Sequence, residues 1–465
     1  MTTRAMKPIV MKFGGTSVAD AAAIRQVSRI VADTAASGAP LAVVVSAMSG
    51  VTNDLLALCE LAPAGDLEAV ERALAAIQQR HRVAIDDLAS DGPGAFEDVR
   101  EAVAHECDQL RTVLGSIAVL REATPRAIDR VAAAGELMNS RIVTGALQAA
   151  GLDARWLDAR DIIVTSSGHP AMPLSGPIRE RASARVPPLH AAGAVVVMGG
   201  FVGATGGGIT TTLGRGGSDF SASLLGSALD AGEIQIWTDV DGMLTADPRI
   251  VAGARPVREL SFDEAAELAY FGAKVLHPST ILPAIERGIP VRILNTMHPK
   301  NAGSVISARP GARAEPLAAI ACKRGITVVD VTSSRMLEAH GFLRGVFDVF
   351  DRHQTSIDVV TTSEVSVSMS VDDDRRLAAI EEELREFGAV HIDRNMAIVS
   401  AVGDALLRDP SIAGRVIAAL EGVPLRMLSQ AASRRNLTVV VDEASAERAM
   451  SRLYDEFFST VEATR

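Results

Sequence analysis

The 465-residue chain predicts an α/β protein: a mostly parallel sheet between helical layers, followed by two small βαββαβ modules. Three observations carry this. Short apolar runs alternate with longer helical patterns through the first 295 residues, glycine-bearing polar loops follow those runs, and the C-terminal third repeats one pattern twice. Strand–helix alternation implies a parallel sheet covered on both faces, and ligands of such sheets bind beyond the carboxyl ends of the strands.

In chain order, PIVMKF, LAVVVSAM, ARWLDA, GAVVVMGGF, EIQIWTDV and PVRILN read as buried strands. Helical stretches fall at Ala19–Ser37, Leu67–Ser90, Phe96–Arg121, Glu136–Ala150, Phe262–Tyr270 and Ser279–Arg287. The polar loops KFGGTS, SAMSGVTN, GGFVGATGGG and TDVDG follow strand ends, where a site is expected. Residues 296–316 are rich in Pro, Gly and Ala and mark a boundary, giving a body over 1–300 and a tail over 301–465. The tail repeats itself from Gly345 and from Gly414, each copy giving helix, strand, turn, strand and an acidic end. Paired small modules behind a catalytic-looking body suggest effector sensing.

Composition narrows the function. A net charge of −11 and a pI near 5.4 argue against nucleic acid or an anionic membrane as the main partner. Residues 191–214 carry no charge, but eight of them are glycine, so they read as a buried strand entering a glycine loop rather than a membrane span. The N-terminus lacks an apolar signal core, and Cys59, Cys107 and Cys322 are widely spaced, as expected of reduced thiols in a cytoplasmic protein. No G-x-G-x-x-G occurs, which removes the main fingerprint of a nicotinamide dehydrogenase. Only five lysines appear against 41 arginines, so the lysines inside motifs, Lys12 and Lys274, stand out as sites that need a compact point charge.

MKFGGTS, at 11–17, places one lysine, two glycines and two hydroxyls behind a strand, a pattern suited to cradling phosphate although it is no Walker A loop. Further constellations are Gly135-Glu136-Leu137-Met138, Leu213 to Asp219 (LGRGGSD), Trp237 to Gly242 (WTDVDG) with Asp247-Pro248-Arg249, and Phe271 to Pro278 (FGAKVLHP). With SAMSGVTN, these six motifs come in the order and spacing of the aspartokinases of the amino-acid kinase superfamily, which the chain resembles over essentially its whole length. GFLRGVF and SIDVVTTSEVS resemble the paired ACT domains of the monofunctional lysine-sensitive type.

The resemblance implies an amino-acid kinase fold followed by two ACT domains, over about 320–395 and 396–465, with interleaving of the two left open. It implies ATP-dependent phosphorylation of the L-aspartate β-carboxylate, with Mg²⁺, feeding aspartate-family amino-acid biosynthesis. A carboxylate is already an anion, so no general base is needed, which fits the lack of a His or Cys constellation. Carried over by motif position, Lys12 holds the transferred phosphoryl and Gly14 and Gly15 offer N–H groups to phosphate. Lys274, beside Val275, balances the nucleotide phosphates, while Thr238, Asp239 and Arg249 frame the nucleotide. Leu244 stands where the family usually has an aromatic near the base. Arg215 grips an aspartate carboxylate, Glu136 takes the α-ammonium or fixes Arg215, and Ser46, Thr52, Ser218 and Asp219 complete the pocket.

The effector site implied by the resemblance takes Met336, Ala339, Gly341, Phe342, Leu343, Ser356, Ile357, Asp358, Thr362, Ser363 and Glu364, with L-lysine as ligand and a homodimer, or a larger assembly, joined through the ACT sheets. Ala339, followed by His340, departs from the family's small hydroxyl residue, leaving threonine, or lysine with threonine, as alternatives. Two other readings are a kinase acting on another amino acid such as glutamate, and a non-catalytic sensor, which would be expected to have lost the phosphate-side lysines.

Overall fold

The computed structural model describes residues 6–271, 276, 278–311, 313–336, 340–430 and 434–459. The chain forms two units, Met1–Met243 with Leu276–Pro310, and Leu244–Val275 with Gly311–Arg465. The first contains, in order, β1 (Ile9–Phe13), α1 (Ala21–Ala35), β2 (Leu41–Val45), α2 (Val51–Leu61), α3 (Leu67–Ala89), α4 (Glu97–Leu120), α5 (Pro125–Ala132), α6 (Ala134–Ala149), β3 (Ala154–Trp156), β4 (Val164–Thr165), α7 (Ser175–Ala191), β5 (Val195–Gly199), β6 (Val202–Thr205), β7 (Thr210–Thr212), α8 (Gly217–Ala228) and β8 (Glu233–Thr238). The chain then passes through the second unit, in β9 (Glu259–Ser261) and α9 (Phe262–Tyr270), and returns for α10 (Leu282–Arg287), β10 (Val291–Asn295) and β11 (Ser304–Ser307).

Within the first unit the strand order is β3-β5-β2-β1-β8-β10-β11, parallel except for β11. Strands β2 and β5 are buried along their whole length, as the continuous apolar runs require of a sheet covered on both faces. The chain leaves β1 toward β2 and β5 on one side and later adds β8 on the other. The carboxyl ends of β1 and β8 therefore flank the point where the order reverses, the usual place for a ligand crevice. Met11, Phe13, Val43, Val45, Val195 and Val197 pack with α1 to α4 and α6 in one large core. Phe13 stacks on Trp237 of β8, with centroids 5.9 Å apart.

Lys12 lies inside β1, paired with Val44 and Ile236, as the strand reading of PIVMKF has it, and the loop begins beyond Phe13. Side chains alternate along a strand, so Lys12 points away from the face that Met11 and Phe13 bury.

Several elements exceed the sequence reading. SAMSGVTN runs directly into α2, and α5 and α7 occupy stretches left unassigned. α7 contains Pro187 and Pro188, strong breakers of a helical pattern. The glycine loop holds β6 and β7, which form a separate three-stranded sheet in the order β4-β6-β7. Cys59 and Cys107 are buried and Cys322 is half-buried, all three are free, and burial pushes each thiol up to about 11.

The second unit continues with β12 (Ala319–Thr332), α11 (Phe342–Arg352), β13 (Val360–Thr362), β14 (Ser366–Val371), α12 (Leu377–Leu384), β15 (Ala389–Val402), α13 (Ser411–Ala419), β16 (Met427–Ser429), β17 (Asn436–Asp442) and α14 (Ala446–Phe458). Its sheet has the order β13-β14-β12-β15-β17-β16, antiparallel throughout. β12 and β15, each 14 residues long, pair with one another from end to end. One end of this pair buries Val329 and Val331 with α11 and α12, with the half-buried Val390 and Ile392 packed against them. The other buries Ile320, Ala397, Val399 and Ala401 with α13 and α14. The two repeats thus share their central strands and keep separate cores.

Candidate active site

Four strand ends and two helix starts converge in the first unit. Gly14 N–H donates to the Trp237 carbonyl (3.0 Å), tying the β1 exit to β8. Ser46 N–H donates to Phe13 O (3.1 Å), and Gly200 N–H to Val45 O (2.8 Å). A Cβ on Gly200 would sit 2.6 Å from the Ser218 Cβ, and one on Gly199 3.1 Å from the Glu136 carbonyl oxygen. A Cβ on Gly135 would lie 2.8 Å from the Ala47 Cβ. The glycines let the β5 exit, α6 and α8 close on one another at backbone distance.

Lys12 and Asp219 form the charged centre, with Nζ and Oδ1 2.6 Å apart and Lys12 8 % exposed. Asp219 lies in the first turn of α8, where the helix dipole favours an anion. Ser218 is buried beside it. Arg215 is exposed on the turn before α8, and no carboxylate pairs with it among the described residues. Its reach toward a ligand is therefore not consumed by Asp219.

Gly14's N–H is spent on Trp237, so it is not available to a phosphate in this arrangement. The turn Gly15–Val18 begins with no side-chain cap, which leaves its leading N–H groups as orphan donors. Ser46 is half-buried and Thr52 sits in the first turn of α2, reached through the left-handed Gly50 (φ 86°). Thr238 ends β8, and its hydroxyl donates to the exposed Asp239 (3.1 Å).

Glu136, in the first turn of α6, is 3 % exposed, and its Oε2 has no hydrogen-bond partner. Burial pushes its carboxyl up to about 8, although the N–H groups of Ala47 and of Glu136 itself favour the charged form. A buried carboxyl with one free oxygen suits an incoming cation.

Two groups of the site carry signals too weak to find in the sequence. Asn139, one turn after Glu136, donates from Nδ2 to the Ser46 carbonyl (2.7 Å), and its buried Oδ1 is unpartnered. Beyond β8, Asp241 accepts from Asn295 (2.7 Å) and Asn301 (3.1 Å) and lies 3.2 Å from the His298 ring. Partial burial raises the Asp241 carboxyl, but these hydrogen bonds outweigh it and hold it below the usual range.

Leu244 and Arg249 belong to the second unit, where Arg249 is exposed and paired with Asp247 (2.6 Å). Lys274, Val275 and Ala339 lie outside the described residues. The remaining expected effector residues are in the second unit. Phe342 and Leu343 pack on its first core, Phe342 meeting Phe387 edge-on at 5.9 Å. Gly341 caps α11 at φ 86°, Ser363 shares a turn hydrogen bond with Ser366 (2.7 Å), and Met336 and Ile357 are half-buried. Ser356, Thr362 and Glu364 are exposed. Asp358 is occupied by Lys323 (2.9 Å) and Tyr270 (2.9 Å).

Among the described residues there is no cluster of three metal-ligating side chains and no helix long and apolar enough to cross a membrane. Orphan N–H groups at the start of Gly15–Val18, the paired Lys12 ammonium and the unpartnered Glu136 oxygen are the kinds of group that can align two anions and neutralise charge between them.

Known proteins are similar to this chain over most of its length. The amino acid kinase family model matches residues 7–295, and an ACT domain model matches 399–457. Aspartokinase 3, chloroplastic, of Arabidopsis thaliana is 36% identical, over 97% of this chain and 82% of that protein. The crystal structure of Escherichia coli aspartokinase III with aspartate and ADP, in the R-state, is 34% identical with a TM-score of 0.81, covering 97% of this chain and 100% of that one. The same enzyme with lysine and aspartate, in the T-state, gives a TM-score of 0.82 at 34% identity, covering 97% and 99%.

The Glu136 carboxyl makes a prediction independent of any ligand. Its folded value of about 8 lies above the 4.5 of a free glutamate carboxyl, so its contribution to stability is full below about 4.5 and is lost as pH rises through 8. Glu136→Gln removes that slope. Urea midpoints measured between pH 5 and 9 are expected to fall less for the variant than for the wild type, and parallel profiles would contradict the assignment.

Proposed function

The chain belongs to the aspartokinase family, and from that premise we propose how its residues divide the work. It is an aspartate kinase: ATP phosphorylates the β-carboxylate of L-aspartate to give 4-phospho-L-aspartate, under feedback inhibition through the ACT region. A β-carboxylate oxygen forms a bond to the γ-phosphorus, the bond from that phosphorus to the β–γ bridging oxygen breaks, and ADP leaves with the electron pair. No proton moves, so the protein has only to position two anions and stabilise the charge spread over the phosphoryl oxygens.

The buried Lys12–Asp219 pair is the observation that carries the division of roles. Lys12 exchanges Asp219 for the phosphoryl group, as a single-atom ammonium can with a small rotation. The leading N–H groups of Gly15–Val18 receive phosphate oxygens. Mg²⁺ would come with ATP and would supply charge neutralisation on the transferred phosphoryl group. Lys274 supports the nucleotide phosphates, with Thr238, Asp239, Leu244, Arg249 and Val275 about the nucleotide. Arg215 grips a carboxylate of aspartate, and Glu136 gives its free oxygen to the α-ammonium, which in turn draws the Glu136 pKa back down. Ser46, Thr52 and Ser218 close the pocket. L-lysine is the effector, held by the Met336–Leu343 and Ser356–Glu364 segments, and the working form is a cytoplasmic homodimer joined through the ACT sheets.

ADP release with aspartate, glutamate, lysine and threonine tests this. Turnover with aspartate but not glutamate, suppressed by lysine, is expected, and suppression by threonine alone would reassign the effector. Lys12→Ala should lower kcat by about 100-fold or more, the scale for losing one stabilising group on transferred charge. Near-normal turnover would remove its role. Arg215→Lys keeps the charge and loses the fork, so KM for aspartate should rise about tenfold with little change in KM for ATP. An unchanged KM for aspartate would show that Arg215 holds something else.

A further inference from the structure

We propose that Asn139 is a positioning residue for the aspartate side of the site, acting through the backbone of Ser46; this rests on the reading of Ser46 as a group of the substrate pocket. Ser46 is the first residue beyond β2, whose pairing with β1 and β5 ends at Val45. From there on the sheet no longer dictates where the chain points. Ser46 keeps one bond to β1, its N–H donating to Phe13 O (3.1 Å). Its carbonyl accepts from Asn139 Nδ2 of α6 (2.7 Å). The two backbone groups of Ser46 are thus fixed by two different elements, and its side chain leaves the backbone in a direction that α6 helps to set.

The surroundings make this bond a specific one. Asn139 is 0 % exposed and lies three residues after Glu136, so the two side chains share a face of α6. α6 presses on the β2 exit at the residue before Glu136: a Cβ on Gly135 would lie 2.8 Å from the Ala47 Cβ. A carbonyl can only accept, so Asn139 must turn its nitrogen to Ser46, and its Oδ1 is left buried without a partner. An unpaired buried acceptor costs stability. Asn139 bears that cost while holding Ser46 in place.

The far side of the same turn is held separately. Ser49 N–H donates to Gly15 O (3.2 Å), and Val51 N–H to Met48 O (3.0 Å). Losing the Asn139 bond therefore frees Ser46 and leaves the connection to the Gly15–Val18 turn, the phosphate side, intact.

The test is a mutant cycle on the full-length enzyme. Asn139→Leu keeps the side-chain volume and removes the donor, with Asn139→Ala as the second variant should leucine prevent folding. KM for aspartate should rise about tenfold, the scale of one hydrogen bond, while KM for ATP stays put. Ser46→Ala should also raise KM for aspartate. The double variant should be no worse than the worse single one, because Asn139 then has no hydroxyl left to aim. An unchanged KM for aspartate in the Asn139 variant, an equal rise in KM for ATP, or losses that multiply in the double variant would overturn the proposal. Ser46→Ala alone separates the two readings. If it leaves KM for aspartate unchanged, Ser46 is no pocket group and the proposal falls with that assignment. If it raises KM and the Asn139 variant does not, the pocket stands and only the role of Asn139 is overturned.

Discussion

One constraint organises the first unit: an ammonium buried inside a central strand. Lys12 cannot sit in β1 without a partner, since an unpaired charge at that depth is far more costly than a paired one. Asp219 supplies the partner, which requires α8 to begin beside the end of β1. That in turn requires the β5 exit to pass within backbone distance of Ser218, which glycine at 200 permits. The buried pair, the close-packed glycines and the helix starts are consequences of one another. The arrangement is poised, because a second anion arriving at the strand ends offers Lys12 an alternative partner without exposing it to water.

Much of this was legible in the sequence, for physical reasons that differ by residue. The buried strands announced themselves as continuous apolar runs, and the tail's duplication by repeating its pattern. Lys12 stood out because the chain otherwise spends arginine on its charges. What the sequence reading placed less well depended on neighbours it does not display. Lys12 was read both into the strand PIVMKF and into the loop KFGGTS that follows it, and the strand reading holds, since β1 continues through Phe13. α7 was hidden by its two prolines, and β6 and β7 by the glycines in and between them. Gly14 looked like a phosphate donor until Trp237 was seen to take its N–H. Asn139 carries no motif of its own, and only the fold brings it to the Ser46 carbonyl.

The second unit solves a different problem. Two small modules of the βαββαβ plan would each have little core alone. Sharing β12 and β15 lets one pair of long strands serve both cores, so strain at one end of the pair can be felt at the other. β12 carries Lys323, Asp358 lies just before β13, and α9 is fastened to residues of both halves. A unit built this way suits the conversion of ligand binding into a shift of a single helix, with coupling free energies of about 1–3 kcal/mol typical of such linkage.

The most direct test of the central claim is a crystal structure of this protein with Mg·ADP and aspartate. The account predicts that the Lys12 Nζ has left the 2.6 Å contact with Asp219 for a position between the β-phosphate of ADP and the aspartate β-carboxylate. Lys12 still closed on Asp219, with the phosphates bound elsewhere, would contradict it.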